Sequence, residues 1–135
     1  MIVSSKVRYA TRALIQLAHH AQAGPLSVRE IGRQEGLSDK YLESVLAQLK
    51  AAGIVESRKG KHGGYLLARP AEQVSLHQII RVFEAGVVIE QDSPHSDTGV
   101  WRRVRTAVER VLEETSLADA ARDAFEYRGV LNYSI

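Results

Sequence analysis

The 135-residue chain contains no cysteine. This absence excludes disulfide bonds, thiol catalysis, and every zinc or iron–sulfur site that depends on thiolate ligands. The chain also has only three prolines, one tryptophan and two phenylalanines. It has no apolar run near the ~20 residues that span a membrane, and its first residues lack the apolar core of a signal peptide. We therefore expect a soluble, cytoplasmic protein.

Charge is nearly balanced over the whole chain but is divided unevenly along it. The 18 lysines and arginines and 16 acidic residues give a formal net charge of +2. Residues 1–69 hold 11 of the basic and five of the acidic residues, a net charge of +6, whereas residues 70–135 carry −4. Such asymmetry indicates a basic binding surface joined to a part with another task. Double-stranded DNA is the polyanion we expect first, although RNA or an anionic membrane surface fits the charge equally well.

The basic half begins with one predicted helix, followed by a second, shorter one. Apolar residues recur at helical spacing through residues 7–21, and Gly24-Pro25 ends this pattern. The segment Ser27–Glu30 is a capping box, in which a serine hydroxyl and a glutamate carboxylate each accept from a backbone amide. We expect the second helix to begin at Ile31 and to end at Gly36.

A third helix follows after a tight turn at Gly36-Leu37. Ser38 is its predicted N-cap, and Gly53 lies at its C-terminal end. Its apolar positions form one stripe at helical spacing: Leu42, Val45, Leu46 and Leu49. Two short helices joined in this way are typical of a helix-turn-helix, although the same arrangement also occurs in all-α folds that bind no DNA.

A β-hairpin is predicted directly after the third helix. Ile54-Val55 opens one strand, residues 60–64 form a glycine-rich turn, and Tyr65–Ala68 form the returning strand. A hairpin in this position is the wing of a winged helix. Its tip carries four potentially cationic side chains: Arg58, Lys59, Lys61 and His62. Because charged residues also occur in loops that contact only solvent, the cations alone leave both interpretations open.

The N-terminal residues of a recognition helix lie nearest to the base edges of the major groove. From this position and from the wing we predict the DNA-binding residues Ser38, Lys40, Tyr41, Glu43, Ser44, Arg58, Lys59, Lys61 and Gly63. Lys40 can contact phosphate or guanine, and Glu43 can accept a hydrogen bond from a cytosine amino group. The alternative for Glu43 is a solvated acid that only repels phosphates. Since Gly63 has no side chain, the wing backbone can approach a phosphate closely.

The acidic half is predicted to contain another helix, a polar connector and a long amphipathic helix. Ser75–Gln78 is a second capping box, and residues 86–99 form the connector. The long helix is capped by Asp97 or Thr98, and a final short helix restarts at Ser116. The apolar seam of the long helix consists of Trp101, Val104, Val108, Val111 and Leu112. This seam either belongs to the core of the same domain or, as we predict, joins two copies of the chain in a homodimer.

No set of residues resembles a catalytic or a metal site. The five histidines are either adjacent or isolated, and the Ser, His and Asp residues of segment 92–97 are too close in sequence to form a triad. We therefore predict no enzymatic activity, no metal and no cofactor.

Three stretches are similar to the Rrf2 family of bacterial winged-helix transcription regulators. They are SSKVRYATRAL near the start, the long stretch GPLSVREIGRQEGLSDKYLESVLAQLKAAGIVESRKGKHGGYLLARP in the middle, and the Trp101 helix followed by SLADA. The resemblance implies a homodimer whose long C-terminal helices cross, with each winged helix binding half of a partly palindromic promoter site. It also implies that Ser38 to Ser44 belong to the recognition helix, and that Arg58 to Gly64 form the wing.

Many members of this family hold an iron–sulfur cluster through three cysteines before the dimerisation helix. The corresponding segment here is VVIEQDSPHSDTG, which has no cysteine, and Asp92, His95 and Asp97 would be poor cluster ligands. The chain is most similar to the cluster-free branch that represses cysteine metabolism. That resemblance implies sulfur-assimilation genes as targets and a cysteine synthase as corepressor partner.

The sequence thus predicts a mainly α protein with a small β-hairpin. Residues 1–85 form a winged helix-turn-helix domain, and residues 86–135 supply the connector, the dimerisation helix and the C-terminal tail. The predicted function is sequence-specific regulation, most simply repression, at promoter DNA, with no membrane partner. Two alternatives stay open: a winged helix that binds protein instead of DNA, and a regulator of another pathway that responds to a small molecule.

Overall fold

The computed structural model describes residues 3–84 and 99–133, with side chains described up to residue 127. These ranges contain six α-helices and one two-stranded antiparallel sheet. The helices are α1 (Ser5–His19), α2 (Val28–Glu35), α3 (Asp39–Ala51), α4 (Leu76–Phe83), α5 (Val100–Glu114) and α6 (Leu117–Tyr133), and the strands are β1 (Val55–Arg58) and β2 (Gly64–Leu67). The predicted class, mainly α with a small β-hairpin, is confirmed.

Local capping interactions determine where α2 begins and ends. The Ser27 hydroxyl accepts from the Glu30 amide at 3.2 Å, and the Glu30 carboxylate accepts from the Ser27 amide at 3.3 Å. The predicted capping box is therefore confirmed, and α2 begins at Val28, three residues before the predicted start at Ile31. It ends at Gly36, whose left-handed φ of 68° suits a residue without a side chain.

The predicted hairpin is present, with each strand displaced by one residue. Strand β1 begins after Ile54, because the Ile54 amide still donates to the Leu49 carbonyl and closes the end of α3. A third extended segment was missed. The amide and carbonyl of Leu26 exchange hydrogen bonds with those of Tyr65, at 2.9 and 2.7 Å. Leu26, which lies just before the N-cap of α2, thus joins the edge of the wing sheet.

One hydrophobic core lies between α1, α2, α3, the base of the hairpin and α4. The predicted stripe of α3 is fully buried, from Leu42 to Leu49. Leu14 of α1, Ile31 of α2 and Ile79 of α4 pack into the same core with no exposed surface. This packing brings the two helices of the helix-turn-helix together and leaves the opposite face of α3 in solvent.

The last helix returns to the N-terminal domain. The Leu76 amide donates to the Thr115 carbonyl at 2.9 Å, and the Leu117 amide donates to the Val74 carbonyl at 2.7 Å. Leu117 itself is fully buried in the core. Helix α6 has 17 residues, so the prediction of a short final helix was wrong. Its length follows from packing along α1, which a local pattern does not show.

Helix α5 begins directly after Gly99, which acts as its N-cap without any side-chain hydrogen bond. The N-cap predicted at Asp97 or Thr98, residues that lie outside the described ranges, is therefore wrong. Gly99 has a left-handed φ of 75°, a conformation that glycine adopts without steric strain. None of the described helices is both long and apolar enough to cross a membrane.

Candidate nucleic-acid interface

The cap and the buried stripe of α3 together decide which of its side chains face solvent. The Ser38 hydroxyl accepts from the Tyr41 amide at 3.2 Å, as predicted for the N-cap. Because the stripe faces the core, the exposed side chains at helical spacing are Lys40, Glu43, Ser44 and Ala47. Two of these four are small, so the middle of the helix offers little steric obstacle to a groove. This face can present a cation, an acid and a hydroxyl to base edges.

Tyr41 differs from the other predicted contacts of α3. It is half-buried and packs against the hydrophobic core, where its ring meets the ring of Tyr9 edge-to-face with centroids 6.0 Å apart. Edge-to-face geometry is favourable for aromatic pairs. The ring therefore holds α3 against α1, a packing role that the sequence analysis did not assign.

A buried carboxylate fixes α2, the first helix of the helix-turn-helix, to α1. The Glu35 side chain is 4% exposed and accepts a hydrogen bond from Gln16 at 2.7 Å. The same carboxylate forms an ion pair with Arg12. Sequence reasoning missed this cluster, although one signal was available. An acid in the last turn of a helix opposes the macrodipole and therefore needs a partner.

The wing presents a basic tip to solvent. Arg58, Lys59, Lys61 and His62 are all exposed. Arg58 lies 3.7 Å from Glu56, a long ion pair across exposed surface that contributes little to stability. Among the described residues, no ion pair involves Lys59 or Lys61. These two cations are therefore available to a polyanion.

Two glycines of the wing are required by close backbone contacts. A Cβ on Gly63 would lie 2.2 Å from the Arg58 carbonyl oxygen, and a Cβ on Gly64 would lie 2.2 Å from the Leu26 carbonyl oxygen. Both distances are far inside van der Waals contact. The hairpin itself thus requires a glycine at position 63, and the predicted approach of its backbone to a phosphate stays a prediction.

A hydrogen bond joins the recognition helix to the wing. Lys50, in the last turn of α3, donates from Nζ to the Ser57 hydroxyl at 2.8 Å. Ser57 lies in β1 and pairs with Tyr65 of β2. The hydrogen bond therefore helps to hold α3 and the hairpin in one relative position.

The apolar seam of α5 is exposed in the single chain. No residue of α5 is buried, and Trp101, Val104 and Val111 are 50%, 38% and 61% exposed. Val108 and Leu112 are half-buried. None of the seam residues belongs to the hydrophobic core cluster, which favours the second interpretation, and the homodimer interface stays a prediction. An apolar stripe of this kind on an exposed helix marks an interaction surface.

A helix-turn-helix with an exposed polar face, followed at once by a basic hairpin, defines a winged helix-turn-helix protein. The family model described as "Rrf2: Iron-dependent Transcriptional regulator" matches residues 3–123. The chain belongs to the Rrf2 family of transcriptional regulators, as its sequence indicated.

Two named relatives illustrate the similarity. The HTH-type transcriptional regulator CymR of Bacillus subtilis is 37% identical over 125 residues, which cover 90% of each chain. The solved structure of CymR, described as the global cysteine regulator of B. subtilis, has a TM-score of 0.80 with 36% identity, covering 90% of this chain and 97% of that chain. The structure of T. potens IscR has a TM-score of 0.78 and 40% identity, covering 92% of this chain and 88% of that chain. Because the family and the relatives are named as transcriptional regulators, the chain is a transcriptional regulator, in agreement with the prediction that it is not an enzyme.

The donor chemistry of the chain does not fit a thiolate-bound iron–sulfur cluster. The chain has no cysteine, and its described residues contain no group of three His, Asp or Glu side chains that could hold a metal ion. Asp92, His95 and Asp97, which the sequence analysis rejected as ligands, lie outside the described ranges.

Proposed function

We propose that the protein is a homodimeric repressor that binds promoter DNA through α3 and the wing. One observation carries this proposal. The solvent face of α3 presents Lys40, Glu43 and Ser44 beside a wing whose Lys59 and Lys61 have no ion-pair partner in the described part of the chain. Phosphates supply the counter-charge that these lysines lack, and base edges supply partners for the polar side chains of α3.

The two parts of this surface have different tasks. Helix α3 lies in the major groove, where Glu43 accepts from a cytosine amino group and Ser44 contacts a base edge or a phosphate. The wing lies along the adjacent minor groove, where Lys59 and Lys61 neutralise phosphates. The Lys50–Ser57 hydrogen bond supports the spacing between the two contacts.

Dimerisation follows from the exposed seam of α5. A second copy covers Trp101, Val104 and Val111 in an interface where residues of one helix meet the same residues of the other. The two winged helices then bind two half-sites of one promoter. This arrangement raises both affinity and specificity, since a single module contacts few base pairs.

The proposed targets are genes of cysteine and sulfur metabolism. This step is supported by similarity to CymR, whose description names it a global cysteine regulator. By the same similarity we propose a cysteine synthase as corepressor partner. Titrating cysteine synthase into the protein–promoter complex, with and without O-acetylserine, tests this step. Unchanged promoter affinity under both conditions would contradict it.

Fluorescence anisotropy with two labelled duplexes tests the proposed DNA binding. One duplex is the promoter of the protein's own gene, and the other has the same base composition in scrambled order. We expect binding to the promoter to be on the order of 10³-fold tighter, and to weaken steeply with salt as counterions are released. Equal and weak affinity for both duplexes at every salt concentration would overturn the proposal.

A charge-reversal variant separates DNA binding from the protein-binding alternative. Changing Arg58, Lys59 and Lys61 to Glu should abolish promoter binding and relieve repression of a reporter gene. If the variant loses all affinity for DNA and still regulates the reporter, the winged helix acts by binding a protein.

A further inference from the structure

A cleft of about 510 Å³ lies at the base of the hairpin, at the end opposite to the wing tip. One wall consists of Arg69, just after β2, and the other of His77, Gln78 and Arg81 on α4. None of the residues that line the cleft is acidic. The DNA-binding proposal does not use this cleft, because the predicted contacts lie at the other end of α3 and of the hairpin.

The two arginines of the cleft lack partners in the described part of the chain. The Nε atom of Arg69 is buried there without a hydrogen-bond partner. Arg81 is exposed, and no ion pair joins it to a described carboxylate. A buried N–H group without an acceptor is costly, so the arrangement favours a ligand that supplies oxygen atoms.

The capping box of α4 adds a further donor. The Oε1 atom of Gln78 accepts from the Ser75 amide at 3.2 Å, which leaves the amide nitrogen of the Gln78 side chain for another acceptor. Both His77 and Gln78 lie in the first turn of α4, the positive end of the helix dipole. Arginine, glutamine and the helix end therefore all favour a negatively charged ligand.

The remaining lining is apolar and consists of Ala52, Ile54 and Val82. A bare inorganic ion would leave these side chains in water. We propose that the cleft binds a small organic anion, with a carboxylate between Arg69 and Arg81 and a short aliphatic portion against Val82. The volume is typical of small-molecule sites.

The position of the cleft suggests its consequence, which rests on the proposed function. Arg69 continues from the second strand of the wing, and Arg81 belongs to α4, which leads towards the connector and α5. An anion held by both arginines joins the wing to α4 and restricts their relative motion. Promoter affinity then depends on the anion.

Binding is tested on the full chain by ¹H–¹⁵N NMR, with succinate as probe and with succinamide as its neutral counterpart at equal ionic strength. We expect succinate to shift amide signals near Arg69, His77 and Arg81, and succinamide to shift none of them. Arg81→Gln, a change at an exposed position, should weaken binding by about tenfold. Arg33→Gln removes another exposed arginine, from α2, and should leave binding unchanged.

Two results would overturn the site. The first is an affinity for succinate that is the same in Arg81→Gln and in the unchanged protein. The second is that the largest amide shifts occur at the wing lysines and not at the cleft. Inorganic phosphate forms the third arm. If phosphate binds as tightly as succinate, the apolar wall contributes nothing and the organic part of the proposal is wrong.

The regulatory consequence has a separate readout. Promoter affinity measured with and without saturating succinate should differ in the unchanged protein and not in Arg81→Gln. If succinate binds and promoter affinity stays constant, the regulatory step is wrong and the site stands. If the protein does not bind its promoter at all, the proposed function fails, while the NMR experiment still decides whether the cleft binds an anion.

Discussion

At the scale of single residues, the proposed interface combines side chains that we expect to contact phosphates with side chains that we expect to contact bases. Lys59 and Lys61 have flexible side chains, and their ammonium groups have no fixed partner among the described residues. Glu43, in contrast, lies on a rigid helix. Phosphate contacts carry no sequence information, and base contacts carry most of it. Substitutions of the two kinds should therefore have different signatures.

Lys59→Ala should weaken binding to promoter and scrambled DNA by the same factor. The reason is that the variant releases about one counterion fewer on binding, so the slope of log affinity against log salt should fall by about one. Anisotropy titrations over a salt series measure both quantities. Arg122→Ala, which removes a cation from α6, serves as the control. A loss confined to the promoter would contradict the phosphate role.

Glu43→Ala should change which half-site sequence binds best. A base-specific hydrogen bond discriminates by about 1–3 kcal/mol, so replacing the preferred base pair should cost that much in the unchanged protein and almost nothing in the variant. Competition titrations with single-base variants of the promoter measure this difference. If Glu43→Ala binds every duplex more tightly by one factor, Glu43 is the solvated acid that only repels phosphates.

Gly63→Ala should destabilise the wing for a structural reason. The added Cβ would lie 2.2 Å from the Arg58 carbonyl oxygen, so the backbone of the turn must shift. We expect the free energy of unfolding to fall by about 1–3 kcal/mol, as urea titration can measure. Lys61→Ala, at the same tip, should change it by less than about 0.5 kcal/mol. A Gly63→Ala protein as stable as the original would show that the turn relaxes freely.

At the scale of elements, serine caps set the start of most helices. Ser27, Ser75 and Ser116 each accept a hydrogen bond from the amide three residues along, and the side chain at that third position reaches back in each case. The first two boxes were predicted from sequence. In the third, the Asp119 carboxylate accepts from the Ser116 amide at 3.0 Å. The three boxes satisfy helix-end amides that otherwise have no acceptor.

The cap of α6 should make stability depend on pH. Hydrogen bonds from the Ser116 backbone and then from its side chain lower the pKa of Asp119, and the charge of Arg122 adds to the effect. A lowered pKa in the folded state means that the contribution to stability is complete above the ordinary pKa of an aspartate. It is lost as pH falls through the lowered pKa.

Asp119→Asn tests this dependence, because it keeps the shape of the cap and removes its charge. The variant should be less stable than the original at pH 7, and the difference should shrink towards pH 3. Urea midpoints at one fixed protein concentration measure it. Asp123→Asn removes a charge from the same helix outside the cap and controls for net charge. A difference that stays constant between the two pH values would contradict the prediction.

At the scale of the whole molecule, the question is what covers α5. Its seam is apolar and separate from the core, and the first residues of α6 return to the N-terminal domain. Helix α5 is therefore held to its own domain at its C-terminal end, while its seam stays available to a second copy. This geometry allows dimerisation without rearrangement of the core.

Val104→Asp should convert the dimer to a monomer. The substitution places a carboxylate in the apolar seam, and an unpaired charge is costly to bury between two helices. Because Val104 is 38% exposed in the single chain, each protomer should keep its fold and its circular dichroism spectrum. Sedimentation velocity measures the oligomeric state, and promoter affinity should fall with it.

Thr106→Asp provides the matched control. Thr106 is exposed on the side of α5 away from the seam, and the same charge there should leave the dimer intact. If Val104→Asp sediments like the unchanged protein, the seam is not the interface between copies.

The features that could be predicted are those whose interacting residues lie close together in the sequence. The Ser27–Glu30 box, the buried stripe of α3 and the wing hairpin depend on residues close in sequence, so their patterns were visible. The start of α5 was predicted wrongly, because a glycine with left-handed φ replaces a side-chain cap there.

The sequence by itself therefore determined the local elements, the family, and the division into a basic half and an acidic half. Only the tertiary structure decided that Leu117 lies in the core, that Leu26 extends the wing sheet, and that Arg69 and Arg81 line one cleft. Each of these relations joins parts of the chain that are distant in sequence. Their geometry depends on how the helices pack together, because the shared core determines which residues from distant parts of the chain become neighbours.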